Sequence, residues 1–336
     1  MQRRVELVAL AAGLAVLVLL GWRFGVTDLG AALARVTPSY LVVYLLFGSA
    51  ARLGYAVRWR LVARTVAAPP PLARFIAARL AGDATGFLLP TGRISGDPVR
   101  IGLLYADGAS GSEASAGVAV DRIIEVISNM LCAVAYVTVF SLAHTGAAGR
   151  PTVVLLLTSC LLLAALAIPL QMLRRGKRPL EPLCNVMEPR GARWAAWAGA
   201  LQRTEAHVLR FFRSHPAVFL QGLVISLIIE GLIIGEYHCL LSAFGLAVDL
   251  PTLLMTMVAS GMARAIPTPA GLGALEGAQV TVLAAATGQP SVGFVIGLVL
   301  RLHETLWTGV GLLAFAQRGT DWPRLRAVLS LHGSAP

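Results

Sequence analysis

Two stretches decide how this chain is read: GDATGFLLPTGRISGDPVRI, residues 82–101, and GMARAIPTPAGLGALEGAQV, residues 261–280. A shift of 179 residues lays one on the other, taking Gly82 to Gly261, Pro90 to Pro269, Gly92 to Gly271 and Asp97 to Glu276. Continued without a gap, it takes Arg122 to Arg301 and Glu125 to Glu304. Both copies set helix breakers and ionisable groups inside apolar sequence. That combination, doubled, is how a secondary transporter builds a site at membrane depth.

The surrounding composition supports a membrane setting. Of 336 residues 57% are hydrophobic and 13% charged, with a mean hydropathy of +0.74. Soluble domains sit near about 45–50% apolar and about 25% charged. Leu7–Gly21 and Val153–Leu173 run without a charge, approaching the roughly 20 residues that a bilayer core needs. Arg3 and Arg4 precede the first run as in a signal peptide, but Gly21-Trp22-Arg23 is a poor cleavage site, so a retained helix is expected. The net charge of +11 rests almost wholly on arginine and flanks apolar segments. It suits orientation and anionic headgroups rather than nucleic acid, for which no soluble basic domain is present. Cys132, Cys160, Cys184 and Cys239 are scattered and show neither metal-ligand nor disulfide spacing. No metal or cofactor is expected.

Six full spans are predicted, near 5–22, 39–62, 117–143, 152–173, 217–243 and 292–317. Between them lie Leu72–Ala106, broken at Leu89-Pro90-Thr91-Gly92, and Leu253–Thr287, broken at Ile266-Pro267-Thr268-Pro269-Ala270-Gly271. Proline removes a backbone donor and glycine weakens helix continuation, so each reads as a helical hairpin dipping into the bilayer, or as two tilted spans. Taking Arg174-Arg175-Gly176-Lys177-Arg178 as cytoplasmic puts both termini and the segment of Arg58, Arg60 and Arg64 on that side. The Arg318–Arg326 stretch joins them, and only the lone Arg35 and Arg150 fall outside. Three spans separate the hairpins, so they enter from opposite faces and the repeat is inverted. The expected architecture is an all-α polytopic membrane protein, about six full transmembrane helices plus two broken or re-entrant hairpins. It forms one membrane domain over 1–336, with the first repeat at 72–143 and the second at 251–317. The cytoplasmic loop 174–215 carries an amphipathic stretch with Trp194, Trp197, Val208, Leu209 and Phe212, read as either an interfacial helix or a soluble connector.

The candidate substrate-binding residues are Arg93, Asp97, Arg100, Asp121, Arg122 and Glu125 in the first repeat, and Arg264, Gly271, Glu276, Arg301 and Glu304 in the second. Arg79, Asp83 and His303 lie at comparable depth. Arg122 with Glu125, and Arg301 with Glu304, are three apart and share a helix face. A charge at the centre of a membrane helix costs about 2.5–3.5 kcal/mol on insertion scales. Several persist only if they face each other or water. Two readings remain open, structural ion pairs locking helices or a polar cavity between repeats. Helices starting near Gly92 and Gly271 would offer free N–H groups and a positive dipole end to phosphate or carboxylate. Glu230 and Glu236, inside the fifth span, are candidates for ion coupling; Glu230 would exchange protons or simply bond a neighbouring helix. No GxSxG, HExxH, P-loop or paired-aspartate metal motif is present, so no enzymatic activity is expected.

Ser95-Gly96-Asp97-Pro98-Val99-Arg100-Ile101 and Ala119-Val120-Asp121-Arg122-Ile123-Ile124-Glu125 resemble the transmembrane region of lysylphosphatidylglycerol synthetases and their stand-alone relatives. So does Ile266-Pro267-Thr268-Pro269-Ala270-Gly271-Leu272-Gly273-Ala274-Leu275-Glu276-Gly277, although Ala270 stands where the family usually has a second glycine. The resemblance implies a multi-pass protein of the bacterial cytoplasmic membrane with flippase-like activity on phospholipids or other polar lipids. The group includes relatives associated with hopanoid biosynthesis. No counterpart of the soluble lysine-transferring domain follows the last span, so synthetase activity is not expected. The expected partners are lipids with anionic or zwitterionic headgroups, together with a second copy of the chain or a lipid-modifying enzyme. The competing function is that of a membrane-embedded lipid-modifying transferase, or of an accessory subunit to one.

Overall fold

A computed structural model describes residues 36–68, 70–89, 95–143, 171–187, 191–265 and 272–318, with isolated positions elsewhere. The predicted span 5–22, nearly all of 152–173, and both Pro-Gly breaks with Arg93 and Gly271 lie outside the described residues. What is described is all α-helical: α1 (Pro38–Ala63), α2 (Leu72–Leu88), α3 (Gly96–Ala106), α4 (Gly111–Ala143), α5 (Glu181–Met187), α6 (Ala192–Ser214), α7 (Pro216–Ala243), α8 (Leu250–Ala265), α9 (Ala274–Thr287) and α10 (Pro290–Arg318). Proline stands in the first turn of α1 and α7 and opens α10, where its fixed φ suits a helix start and its missing N–H costs nothing. α4 starts six residues before the predicted 117. Ser110 and Glu113 form a reciprocal cap, with Ser110 N donating to the carboxylate at 2.8 Å and Glu113 N to the hydroxyl at 3.3 Å. An apolar window cannot see that polar first turn.

α1, α4 and α7 are each long and apolar enough to cross a membrane. Their outward positions are apolar and exposed, including Val42, Leu46, Leu131, Leu220, Leu227 and Ile228, as lipid-facing surfaces require. α10, with 29 residues, is about 43 Å long at about 1.5 Å per residue, but it carries Arg301, His303 and Glu304 near its middle. The hairpin helices are shorter. The 11 residues of α3 reach about 16 Å and the 14 of α9 about 21 Å, against a hydrocarbon core of about 30 Å. Neither returning helix crosses by itself.

The same shift of 179 residues maps more than the sequence reading found. It carries α1 onto α7, α2 onto α8, α3 onto α9 and α4 onto α10, each to within a few residues. The repeat therefore includes one helix before each hairpin. The equivalent helices α1 and α7 pack along each other, and they run antiparallel. Thr37 N bonds Ala243 O at 2.9 Å, Gly48 meets Glu236, Gly54 meets Ile229, and Arg58 bonds Ser226 at 3.0 Å. Antiparallel packing of equivalent helices is what inversion demands. Cross-packing agrees, with α2 against α10 and α8 against α4. At one end Arg318 of α10 grips Asp107 at 2.8 Å and the Arg74 carbonyl at 3.2 Å, so the open end of the first hairpin and the end of α10 share a side.

Close helix approach carries the packing, because lipid offers no hydrophobic drive between helices. A Cβ on Gly96 would fall 2.1 Å from the Gly82 carbonyl oxygen, and one on Gly311 would fall 2.2 Å from that of Leu80. Gly96→Val is accordingly expected to force α3 off α2 and destabilise the protein by at least about 1–3 kcal/mol. Thermal unfolding in detergent checks this; an unchanged midpoint would mean that the hairpin tolerates a wider crossing.

In α6, Val208, Leu209, Phe211 and Phe212 pack with Ala116, Val120 and Ile124 of α4, while Trp194 and Trp197 are exposed. The helix docks along one face of the helical body and shows its tryptophans on another.

Candidate functional site

Two polar centres arise from this packing. The first is a buried ion cluster where α1, α2, α3 and α4 meet. Asp121 lies at its heart, fully buried, accepting from Arg58 at 2.9 Å, Arg79 at 3.2 Å and Arg100 at 2.6 Å. Glu125, one helical turn on, accepts from Arg58 at 2.9 Å, Arg79 at 3.1 Å and Arg122 at 2.9 Å. Asp97 closes the network, 2.7 Å from Arg122 and 3.3 Å from Arg100, and Asp83 pairs with Arg79 at 3.2 Å. Four guanidiniums meet four carboxylates, so the charges balance. Trp59 stacks under Arg100 at 4.2 Å, and Tyr55 lies 4.8 Å from Arg79. Desolvated charges persist only when neutralised and hydrogen-bonded on this scale.

Arg58 stands in sequence with Arg60 and Arg64 in a basic segment, yet it is 1% exposed and bound to two acids and Ser226. On α1 it faces α4 and α7 rather than the headgroups. Its only sequence signal is its helical register with buried Ala51 and Tyr44, at successive intervals of seven residues, or two turns.

The repeat-equivalent couples are conserved in geometry. Arg122 holds Asp97 in the first turn of α3, and Arg301 holds Glu276 in the first turn of α9. Glu276 also accepts the Gly273 N–H at 3.0 Å. In each hairpin the protein's own carboxylate thus stands at the positive end of the returning helix, the place the sequence reading offered to a substrate anion.

The second centre is a cavity of about 200 Å³ between the repeats, walled by α1, α2, α7, α8 and α10. Its charged lining comes from both halves: Arg52, Arg79 and Asp83 from the first, and Glu236, Arg264 and Glu304 from the second. Arg264 donates to Glu304 at 2.7 Å. His303, Trp307, Tyr55 and Tyr237 complete the polar wall.

Of the predicted residues, Arg264, Glu304 and Glu236 line this cavity. Arg100, Asp121, Arg122, Glu125 and Asp97 sit in the ion cluster, joined to the cavity through Arg79, which belongs to both. Arg301 and Glu276 form the second hairpin's clamp. Glu230 accepts the Tyr136 hydroxyl at 2.6 Å between α7 and α4 and is not among the cavity-lining residues. Arg52, Trp307 and Tyr237 escaped the sequence reading, since none belongs to a duplicated pair. Among the described residues no group of histidine, cysteine or carboxylate side chains could hold a metal ion.

Residues 7–312 match the transmembrane region of lysylphosphatidylglycerol synthase. The chain belongs to that family. A comparison with curated proteins finds none that matches. As a lysylphosphatidylglycerol synthase transmembrane-region protein, the chain is a membrane domain of a family tied to lipid transport and modification.

Proposed function

We propose that the chain moves a polar lipid between the leaflets of a bacterial cytoplasmic membrane, with both termini on the cytoplasmic side. The observation that carries this reading is the charged cavity where the inverted units meet. Its lining brings three arginines and three carboxylates together, which suits a headgroup holding a phosphate and a cationic part, or a phosphate alone displacing one internal pair. At about 200 Å³ it is smaller than the roughly 300–1,000 Å³ of pockets that enclose drug-sized ligands, so it takes a headgroup while the acyl chains stay in the bilayer. Rocking of one repeat against the other would alternate access. Arg122 and Arg301 would keep each hairpin's returning helix attached to its long helix during that motion.

Reconstituted vesicles test the proposal. Acyl-labelled phosphatidylethanolamine and phosphatidylglycerol are supplied, and a membrane-impermeant quencher reports the exposed leaflet. Protein-dependent exchange with unaltered lipid mass supports transport, whereas a covalently changed lipid points to the transferase. The double variant Arg264→Gln/Glu304→Gln removes a cavity ion pair without leaving a lone charge. It is expected to slow exchange about tenfold or more, equivalent to about 1.4 kcal/mol or more of lost binding, with little change in melting. Exchange at the wild-type rate would exclude this cavity as the route.

A further inference from the structure

Where α1, α7 and α10 meet beside the cavity, four side chains converge that the repeat does not duplicate. The Nδ1 of His303 lies 2.5 Å from the Tyr44 hydroxyl and 3.1 Å from a Glu236 carboxylate oxygen. Its Nε2 accepts the Trp307 indole N–H at 2.6 Å, with an Arg52 guanidinium nitrogen 3.5 Å away. An indole nitrogen only donates. The ring proton therefore sits on Nδ1, aimed at Tyr44 and Glu236, and His303 is neutral in this arrangement. α1 comes this close because residue 48 is glycine: a Cβ there would stand 2.7 Å from His303 Cε1 and 2.8 Å from Glu236 Oε1.

Under the shift of 179 residues, His303 corresponds to Ile124, Glu236 to Val57, Tyr44 to Leu223 and Trp307 to Ser128. Packing that served the inverted architecture would have its mirror image in the first half. This group has none, and it opens onto the cavity through His303, Glu236 and Trp307.

Resting on the transport reading above, we propose that His303 and Glu236 form a proton-binding site that couples proton movement to passage of the headgroup. A proton arriving at the Nε2 lone pair makes that nitrogen a donor, which then faces two donors, the Trp307 indole and Arg52. The Trp307 hydrogen bond must break. Arg52 stacks on the Trp307 ring at 4.5 Å, so both shift together and the cavity wall changes shape. Glu236 supplies the counter-charge for the imidazolium at Nδ1. The other charges facing the site are already matched within the cavity, Arg79 with Asp83 at 3.2 Å and Arg264 with Glu304 at 2.7 Å. Tyr55 and Tyr237 are the remaining titratable groups on its wall. By linkage, a headgroup that displaces Trp307 or draws Arg52 toward its phosphate makes His303 bind a proton more tightly, and the reverse holds equally.

Two readouts test this on the full chain. In lipid nanodiscs, nitrogen-15 histidine spectra from about pH 9 to about pH 5 read His303 directly. The expected change is from the Nδ1–H neutral ring to imidazolium, with a concerted shift of the Trp307 indole resonance. A ring that keeps one protonation state throughout overturns the proposal, whatever the lipid does. In phosphatidylethanolamine–phosphatidylglycerol vesicles, a pH difference of one unit is expected to bias the steady-state leaflet ratio of labelled lipid about tenfold per coupled proton. A trapped pH dye should record the accompanying proton flux. His303→Gln and Glu236→Gln are each expected to abolish the bias at whatever rate remains. Wild-type lipid exchange without bias or flux overturns the coupling alone; absence of any exchange overturns the transport reading and the coupling with it.

Discussion

Asp121→Ala is expected to leave little folded protein. Asp121 is 0% exposed and takes hydrogen bonds from three guanidiniums, on α1, α2 and α3, so its carboxylate ties three helices to α4. Removing it leaves Arg58 with Glu125, Arg79 with Glu125 and the half-exposed Asp83, and Arg100 with Asp97 at 3.3 Å. Breaking one partner out of a buried network costs about 3–5 kcal/mol, because the remaining charge stays desolvated. That corresponds to a fall in melting temperature on the order of 10 °C. Asp121→Asn keeps the shape and two of the acceptor directions and should lose less. Thermal unfolding followed by size-exclusion profile in detergent is the measurement. A variant melting within a degree or two of wild type would show that water reaches the cluster.

Arg301→Ala should be the more damaging of two equivalent substitutions. Arg301 holds Glu276 as Arg122 holds Asp97, but burial differs: side-chain exposures are 13% and 0% for the first couple against 27% and 17% for the second. Glu276 without Arg301 is a carboxylate sealed in the protein, with the Gly273 N–H as a remaining donor. Asp97 without Arg122 keeps Arg100 at 3.3 Å and some solvent. A cost of about 3–5 kcal/mol is expected for Arg301→Ala, and clearly less for Arg122→Ala. Glu276→Gln added to Arg301→Ala should recover most of the loss, since no buried charge is then left over. Equal melting points for the two single variants would refute the burial argument.

The relation between these couples was legible in sequence because it depends on spacing alone. Arg122 and Arg301 stand 25 residues after Asp97 and Glu276, and the structure closes both contacts. Helix existence was legible for the same reason, since an apolar run of span length in lipid has one way to satisfy its backbone. What spacing hid was rotation about each helix axis. Arg58 looked like a headgroup anchor until α1 was seen to turn it toward Asp121, 63 residues on. Tyr44 and His303 are 259 residues apart and belong to no motif. The extension of the repeat to α1 and α7 was equally hidden, because those helices keep their length and place but not their polar residues.

The amino-acid order by itself determined the membrane class and the doubled architecture. Those follow from hydropathy, breakers and a fixed offset, all of them properties of position along the chain. Only the tertiary structure decided which charges are sealed in an ion cluster, which line the cavity, and that a histidine, a glutamate and a tyrosine meet on its wall. Side-chain partners at this depth are chosen by how helices cross and turn against one another, through close contacts such as Gly48 against His303 and Gly96 against Gly82, and no local periodicity encodes that choice.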